Sequence, residues 1–196
     1  MIPDNVSEFL RELQGNGKPL ELKKHTEDGE ILYVSLRHFH SPLSELGKAG
    51  TSLRSSAAYI INLYAEGLDG TTPVGHNDWL IENGTATNRI NLHGITTPTN
   101  YREALSKERW EDSLAVLPFC VDHRYQHQGL GTFLAATSLL LMENAGQDAI
   151  SVSNPTKAGR AVWGKFGVDW KTTPLVSTHQ LATHSLVEKT IREFIS

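Results

Sequence analysis

The sequence has a single cysteine, no long apolar run and no excess of positive charge. Because Cys120 is the only cysteine among 196 residues, no disulfide can form within the chain, as is usual in reducing compartments. The longest apolar-looking run, Phe133–Met142, is far shorter than the roughly 18–20 residues of a membrane span. The first residues carry Asp4, Glu8 and Glu12 and do not resemble a signal peptide. We therefore expect a cytoplasmic protein with no membrane partner.

The charge balance limits the class of binding partner. The formal net charge is −4 and the pI is about 6.1, so the chain has no general positive field for a polyanion. This argues against a dedicated nucleic-acid-binding protein. A hydrophobic content of 39% is sufficient for a substantial core and argues against intrinsic disorder.

The first half of the chain is predicted to be rich in strands. A short helix begins at an Asn5 cap and runs to Gln14, with its apolar residues on one stripe. Strands are predicted at Ile31–Leu36 and Ala57–Tyr64, and a hairpin-like turn at Asn83-Gly84 between Asp78–Ile81 and Asn88–Leu92. Ser41–Ser56 is interpreted as a loop and Tyr101–Arg109 as a short helix.

The second half has a sharper pattern. A dense apolar run, Ser113–Val121, predicts a buried strand, and Pro118 within it indicates a sheet edge or a bulge. The polar segment Asp122–Gln128 follows, and then a helix from about Gly129 to Asn144. The remaining predictions are a strand at Ala149–Ser153, a helix opened by Asn154-Pro155 and closed by Gly167, a strand at Val168–Val176, and a helix or strand at Ser185–Ile195.

A glycine turn that opens a helix is a potential anion site. Glycine allows close approach to the backbone, the first N–H groups of a helix have no internal partners, and the helix dipole adds positive potential. Here the turn is Gly129-Leu130-Gly131, and the turn itself contains no lysine. On its own, this pattern fits structural glycines in a tight turn equally well.

A longer pattern distinguishes the two interpretations. The segment from Val121 to Gly131 resembles the central signature of the GNAT superfamily of N-acyltransferases, in which a strand-ending Val, often followed by a Tyr, precedes Gln/Arg-x-x-Gly-x-Gly/Ala at a helix start. Here the last part is Gln126-x-x-Gly129-x-Gly131. The helix that Asn154 opens ends in Trp163-Gly164-Lys165-Phe166-Gly167-Val168, which looks like the second signature of that family. The resemblance covers Ser113–Val168, roughly a third of the chain.

The resemblance implies an α/β (α+β) fold, with a mixed central sheet of splayed strands flanked by helices. It implies a single domain over 1–196, with an acceptor-side half at 1–110, an acyl-CoA-binding core at 113–168 and C-terminal elements at 169–196. The implied reaction moves an acetyl or other acyl group from acyl-CoA to an amine by direct attack on the thioester. The implied cofactor-binding residues are Phe119, Cys120 and Val121 along the pantetheine arm, then Gln126, His127, Gln128, Gly129, Leu130, Gly131 and Thr132 around the pyrophosphate, and Asn154.

The catalytic residues that the resemblance suggests are less definite. Glu111, Asp112 and His93 are candidates for a general base near the strand that precedes the loop. Trp163 stands where many relatives have a tyrosine that protonates the leaving thiolate. An indole N–H can donate a hydrogen bond but cannot supply a proton at neutral pH. A GNAT-type module that binds acyl-CoA without turnover is therefore an alternative.

Other roles remain open at this point. The acceptor can be a small amine or the amine of a protein or peptide, the acyl donor can be larger or held on a carrier protein, and the chain can form a homodimer. Cys120 is interpreted as a small core residue rather than a nucleophile. His123 and His127 are four residues apart, but no further ligand accompanies them, so we predict no metal.

Overall fold

The computed structural model describes most of the predicted elements. The described residues are 5–15, 17–26, 29–42, 57–65, 73–82, 85–88, 119–147, 149–152, 157–168, 175–177 and 181–195. The helices are α1 (Val6–Leu13), α2 (Leu130–Asn144), α3 (Lys157–Lys165) and α4 (Leu181–Ile195), with a short 3-10 turn at His123–Tyr125. The strands are β1 (Pro19–His25), β2 (Ile31–Pro42), β3 (Ala57–Ala65), β4 (Gly75–Glu82), β5 (Thr85–Asn88), β6 (Phe119–Val121), β7 (Ala149–Val152) and β8 (Leu175–Ser177).

The described strands form one mixed sheet. β1, β2, β3 and β4 pair in sequence order and antiparallel, so this part of the sheet is a meander. β5 is antiparallel to β4 and parallel to β7, and β8 returns antiparallel to β7. The predicted fold class, an α/β fold with a mixed sheet flanked by helices, is confirmed.

The strands before and after α2 part from each other beside β4. β5 and β6 lie end to end along one edge of β4, because β5 pairs with Leu80–Glu82 and β6 pairs with Gly75–Asn77. β7 pairs with β5, and among the described strands none pairs with the outer edge of β6. We call this separation of β6 from β7 the fork.

The core lies between the sheet and α1, α2 and α4. α2 is buried on nearly all sides, from Leu130 and Phe133 to Met142, and is not restricted to the single apolar face that its spacing predicted. It packs on the sheet at one side and on α4 at the other, where Phe133 stacks on Phe194. No helix of the described residues is both long and apolar enough to cross a bilayer.

Most of the predicted elements that lie in the described residues are confirmed. The Asn5 side chain caps α1 by accepting a hydrogen bond from the backbone N–H of Glu8 at 2.9 Å, and α2 runs from Leu130 to Asn144 as predicted. The undecided segment at the C-terminus is a helix, and it begins earlier than expected, at Leu181. β4 and β5 pair antiparallel on either side of residues 83–84, which lie outside the described residues, and the second strand begins earlier than predicted, at Thr85.

Two expectations require correction, one strand was missed, and several predictions fall outside the described residues. The predicted loop Ser41–Ser56 begins too early, because Ser41 and Pro42 still belong to β2 and pair with Ala58 and Ala57. Val168 does not begin a strand, because its N–H donates back to Trp163 O and so closes α3; the described strand is Leu175–Ser177. β1 was not predicted, since its Lys-rich sequence lacks a strong strand signal. The predictions that lie outside the described residues are the helix at 101–109, the loop at 43–56, the helix start at Asn154-Pro155, Pro118, Ser153, and the strand residues 89–92, 113–117 and 169–174.

Phe133 provides a direct test of this core. The fully buried ring stacks on Phe194 at 4.1 Å between centroids and meets Phe9 edge-on at 6.0 Å. We expect Phe133→Ala to lower the free energy of unfolding by about 3–5 kcal/mol, measured by urea denaturation. Phe133→Leu, which keeps most of the volume, is the control and should lose clearly less. Equal losses in both variants would mean that the ring contacts do not stabilise the core.

Candidate functional site

The glycine loop between β6 and α2 has an unusual backbone. A 3-10 turn at His123–Tyr125 follows β6, and Asp122 caps it by accepting from the Arg124 N–H at 3.0 Å. The chain then takes left-handed conformations at His127, with φ 64°, and at Gly129, with φ 83°. Left-handed residues beside right-handed ones turn successive N–H groups toward a common concave side, which is the geometry of an anion nest.

Six successive backbone N–H groups of this loop have no acceptor within the described part of the chain. The run extends from His127 to Thr132, and the first N–H beyond it, that of Phe133, donates to Gly129 O at 2.9 Å. The N–H of Gln126 already donates to His123 O, so the run begins one residue later than the sequence predicted. Gln126 instead uses its side-chain amide, which donates to Val121 O at 3.1 Å.

A lysine from β1 reaches the loop. Lys24 Nζ donates to Gln128 O at 3.1 Å, lies 3.7 Å from a carboxylate oxygen of Glu193, and sits over the Phe194 ring. A side chain at Gly129 would collide with this ammonium group. Sequence analysis missed Lys24, because it is 104 residues from Gln128 and lies on a strand that was not predicted.

A second lysine flanks the loop from the opposite side. Lys165, near the end of α3, donates from Nζ to the Thr132 hydroxyl at 3.3 Å. The loop therefore has a cation on each side, although none lies within its own sequence. Lys157, at the other end of α3, is exposed and makes no described contact with the loop.

A half-buried apolar strip leads from the loop into the fork. A Cβ added at Gly131, in the first turn of α2, would lie 3.5 Å from Val162 Cγ2 and 3.9 Å from both Phe119 Cζ and Val121 Cγ2. The side chains of Phe119, Val121 and Val162 are only partly buried. This surface can accept a long, partly apolar arm alongside β6.

An aromatic cluster closes the inner end of that strip. Trp163 meets Trp79 edge-on at 5.8 Å and contacts Phe119 at 5.7 Å between ring centroids. Both indoles are fully buried. Neither indole N–H has an acceptor among the described residues, although buried donors are normally paired. The predicted catalytic candidate Trp163 is therefore at the fork but beneath its surface.

Cys120 faces away from this cluster. Its Sγ lies 3.4 Å from Nε2 of the buried His76, its cross-strand partner on β4. Burial raises the pKa of the Cys120 thiol well above its usual value, and the negative charges of Asp78 and Asp122 raise it further. The thiol is therefore neutral at physiological pH, which makes it a poor nucleophile.

Asp122 stabilises the start of the loop. Burial tends to raise the pKa of this carboxyl, but the hydrogen bonds and the charge of Arg124 outweigh burial and hold the pKa below its usual value. The Arg124 guanidinium donates to it from Nε at 3.0 Å. The resulting fixed negative charge lies behind the loop, where it orders the 3-10 turn.

Several predicted site residues lie outside the described residues. These are the base candidates Glu111, Asp112 and His93, and Asn154 of the second motif. The structure brings together the others around the loop and the fork. His123 and His127 are both exposed, and no group of three or more metal-type ligands occurs in the described ranges.

Comparisons with known proteins give structural matches only. No protein-family model matches the sequence, and no curated protein matches it at a significant level. Two solved structures of a cAMP-binding acyltransferase from Mycobacterium smegmatis are similar, each with 13% sequence identity. A mutant form has a TM-score of 0.48, with 100% of this chain and 64% of that chain covered. The other has a TM-score of 0.46, with 98% and 61% covered, so this chain spans less than two thirds of either protein.

Gly129 tests the geometry of the loop. Alanine in a left-handed conformation costs about 1–2 kcal/mol, and at Gly129 its Cβ would also collide with Lys24 Nζ. Gly146 is a matched control, because it has a similar φ of 73° and open space around the added Cβ. We expect Gly129→Ala to lose more stability than Gly146→Ala in urea denaturation. Equal losses would mean that the Lys24 side chain moves aside at little cost to stability.

Proposed function

We propose that this chain is a GNAT-type acyltransferase that binds acyl-CoA at the glycine loop and transfers the acyl group to an amine. The observation that carries the proposal is the run of six unbonded N–H groups from His127 to Thr132, flanked by the ammonium groups of Lys24 and Lys165. This arrangement suits a pyrophosphate, which offers several acceptor oxygens and a double negative charge.

The outer edge of β6 supports a place for the pantetheine arm. Successive residues of a strand direct their backbone N–H and C=O groups to alternate sides. The N–H of Asp122 points toward β4, because it donates to Val74 O, so the N–H and C=O groups of Val121 and Phe119 point away from β4. No described strand pairs with that edge, where Val121 O accepts only from the Gln126 side chain, and the half-buried strip lies beside it. The amide groups of a pantetheine arm can hydrogen-bond to such an edge as an added strand does.

An acyl-CoA bound in this way would bring its thioester to the fork. A neutral amine attacks the thioester carbonyl, a C–N bond forms, the C–S bond breaks, and CoA leaves as a thiolate after the amine loses its proton to a base. The outward-facing N–H of Val121 is suited to stabilise the oxyanion. Glu111, Asp112 and His93 stay predictions for the base.

Trp163 sets this site apart from one that uses a tyrosine acid. Its indole neither gains nor loses a proton near neutral pH, so the thiolate must leave without a proton from this residue. The full burial of Trp163 also favours a second candidate function, a module that holds acyl-CoA without turnover. The two functions share the loop and differ in whether an amine releases free CoA.

Binding can be tested with acetyl-CoA and paired lysine variants. We expect acetyl-CoA to raise the melting temperature and to bind in isothermal calorimetry. Lys165→Met should weaken binding by about tenfold, because a hydrogen bond to a charged group contributes about 1.5 kcal/mol. Lys157→Met removes the same charge from the same helix away from the loop and should change affinity little. Absence of binding at millimolar acetyl-CoA would refute the proposed function.

Turnover can be tested by following free thiol release with a panel of amines. We expect the rate to rise with pH as the amine loses its proton and then to reach a plateau. Trp163→Tyr introduces a phenol, whose pKa is near 10 in water and higher when it is buried, so if its hydroxyl reaches the thiolate the rate should fall again only above about pH 10. A fall in the wild-type rate at high pH would show that another acid serves the thiolate. Binding without thiol release across the panel would favour the non-catalytic module.

A further inference from the structure

Lys24 is a charged residue at an inward-facing position of β1. Side chains alternate between the two faces of a strand, and the preceding residues on the same face, Leu20 and Leu22, are buried in the core. The Lys24 side chain itself is only 18% exposed. A charge at such a position costs free energy unless polar partners compensate for it, so the partners of this ammonium group indicate its role.

These partners hold Lys24 between the glycine loop and α4. Its Nζ donates to Gln128 O at 3.1 Å, lies 5.0 Å from the centroid of the Phe194 ring, and is 3.7 Å from a carboxylate oxygen of Glu193. The distance to Glu193 is too long for a direct hydrogen bond. Among the described residues, the direct hydrogen bond of Lys24 is therefore the one to the loop.

This hydrogen bond sets the direction of one peptide plane of the loop. The described chain has no cis peptide bond, and in a trans peptide the C=O and the following N–H point in opposite directions. Because the C=O of Gln128 points to Lys24, the N–H of Gly129 points away from it. That N–H belongs to the run from His127 to Thr132 without a described acceptor. The contact with Lys24 thus keeps an N–H, and not a carbonyl, within the run.

Glycine at position 129 also permits the opposite direction. A reversal of the peptide plane between Gln128 and Gly129 changes the φ of Gly129 from 83° to a negative value, and glycine adopts both signs readily. After such a reversal, Gln128 O would take the place of the Gly129 N–H and would repel an anion at the loop. Glycine therefore makes this turn possible without fixing its direction, and the contact from β1 supplies the selection.

The two lysines beside the loop differ in their charge balance. The exposed carboxylate of Glu193 lies next to the Lys24 ammonium group and offsets its charge. Lys165 pairs with no carboxylate of the described residues, and its Nζ donates to the Thr132 hydroxyl. An anion at the loop is therefore attracted mainly by Lys165, whereas the main effect of Lys24 is on the backbone.

We propose that Lys24 is a positioning residue, which orients the peptide plane between Gln128 and Gly129 so that a bound pyrophosphate meets the Gly129 N–H. This inference rests on the proposed binding of acyl-CoA at the loop. It makes the anion site depend on a contact between residues that are 104 positions apart in the chain.

A charge-balanced double variant separates orientation from charge. Lys24→Met removes the donor and keeps a long side chain beside the Phe194 ring, but it also leaves the charge of Glu193 unbalanced. The double variant Lys24→Met/Glu193→Gln removes both charges, so the net charge beside the loop equals that of the wild type. We expect both variants to bind CoA about tenfold or more weakly in isothermal calorimetry, because a carbonyl replaces an N–H donor to a charged group.

Two further variants complete the binding series. Lys24→Arg keeps a donor within reach of Gln128 O and should recover a large part of the affinity for CoA. Lys23→Met is the matched control, because Lys23 is the adjacent residue of β1 and points to the other face of the strand. It removes the same charge from the same strand and should change the affinity little. Melting temperatures show that each variant is folded.

The direction of the Gly129 N–H can also be measured without a ligand. Residual dipolar couplings of the nitrogen-labelled full chain report the direction of each N–H bond. We expect the coupling of Gly129 to change in Lys24→Met. The coupling of Gly146, which is also left-handed and lies at the far end of α2, should stay the same.

Either of two outcomes would overturn the inference. Affinity equal to that of the wild type in the double variant would mean that Lys24 acts only through its charge. An unchanged Gly129 coupling in Lys24→Met would mean that the loop keeps its direction without Lys24. Both outcomes leave the proposed function standing if the wild type binds CoA. If the wild type does not bind CoA, the proposed function fails, and the couplings still test the orientation.

Discussion

The whole site depends on how the edge of β4 is shared. A strand edge offers one set of N–H and C=O groups, and here β5 takes one half of it and β6 the other. β7 follows β5, which leaves the outer edge of β6 unpaired in the described sheet. Because α2 starts directly after the loop at the end of β6, its free N–H groups lie beside that unpaired edge. An open backbone edge and a helix N-terminus are thereby joined in one groove.

The parts that sequence analysis predicted are those with a local cause. α2 was predictable because a long apolar run begins after glycine and ends near Gly146, and its bounds follow from these residues alone. The loop was predictable for the same reason, since Gly129 permits the left-handed backbone that a helix start of this kind needs. Local steric rules and spacing are sufficient for such features.

The parts that were missed depend on register between distant strands. Lys24 reaches Gln128 O only because β1 pairs with β2 and α4 packs beside it. Arg37, Asn62 and His76 likewise line up only because they fall at matching positions on three strands. A shift by one residue would turn each side chain to the other face. No local pattern in the sequence fixes that register, so neither feature could be predicted from it.

The proposed anion site at the loop would discriminate only weakly between ligands. The N–H groups of the loop lie at a partly exposed helix start, where water can satisfy them, so they favour any well-placed phosphate without strongly rejecting others. The loop therefore suits a cofactor common to many enzymes, and discrimination between acceptors would fall to other parts of the chain.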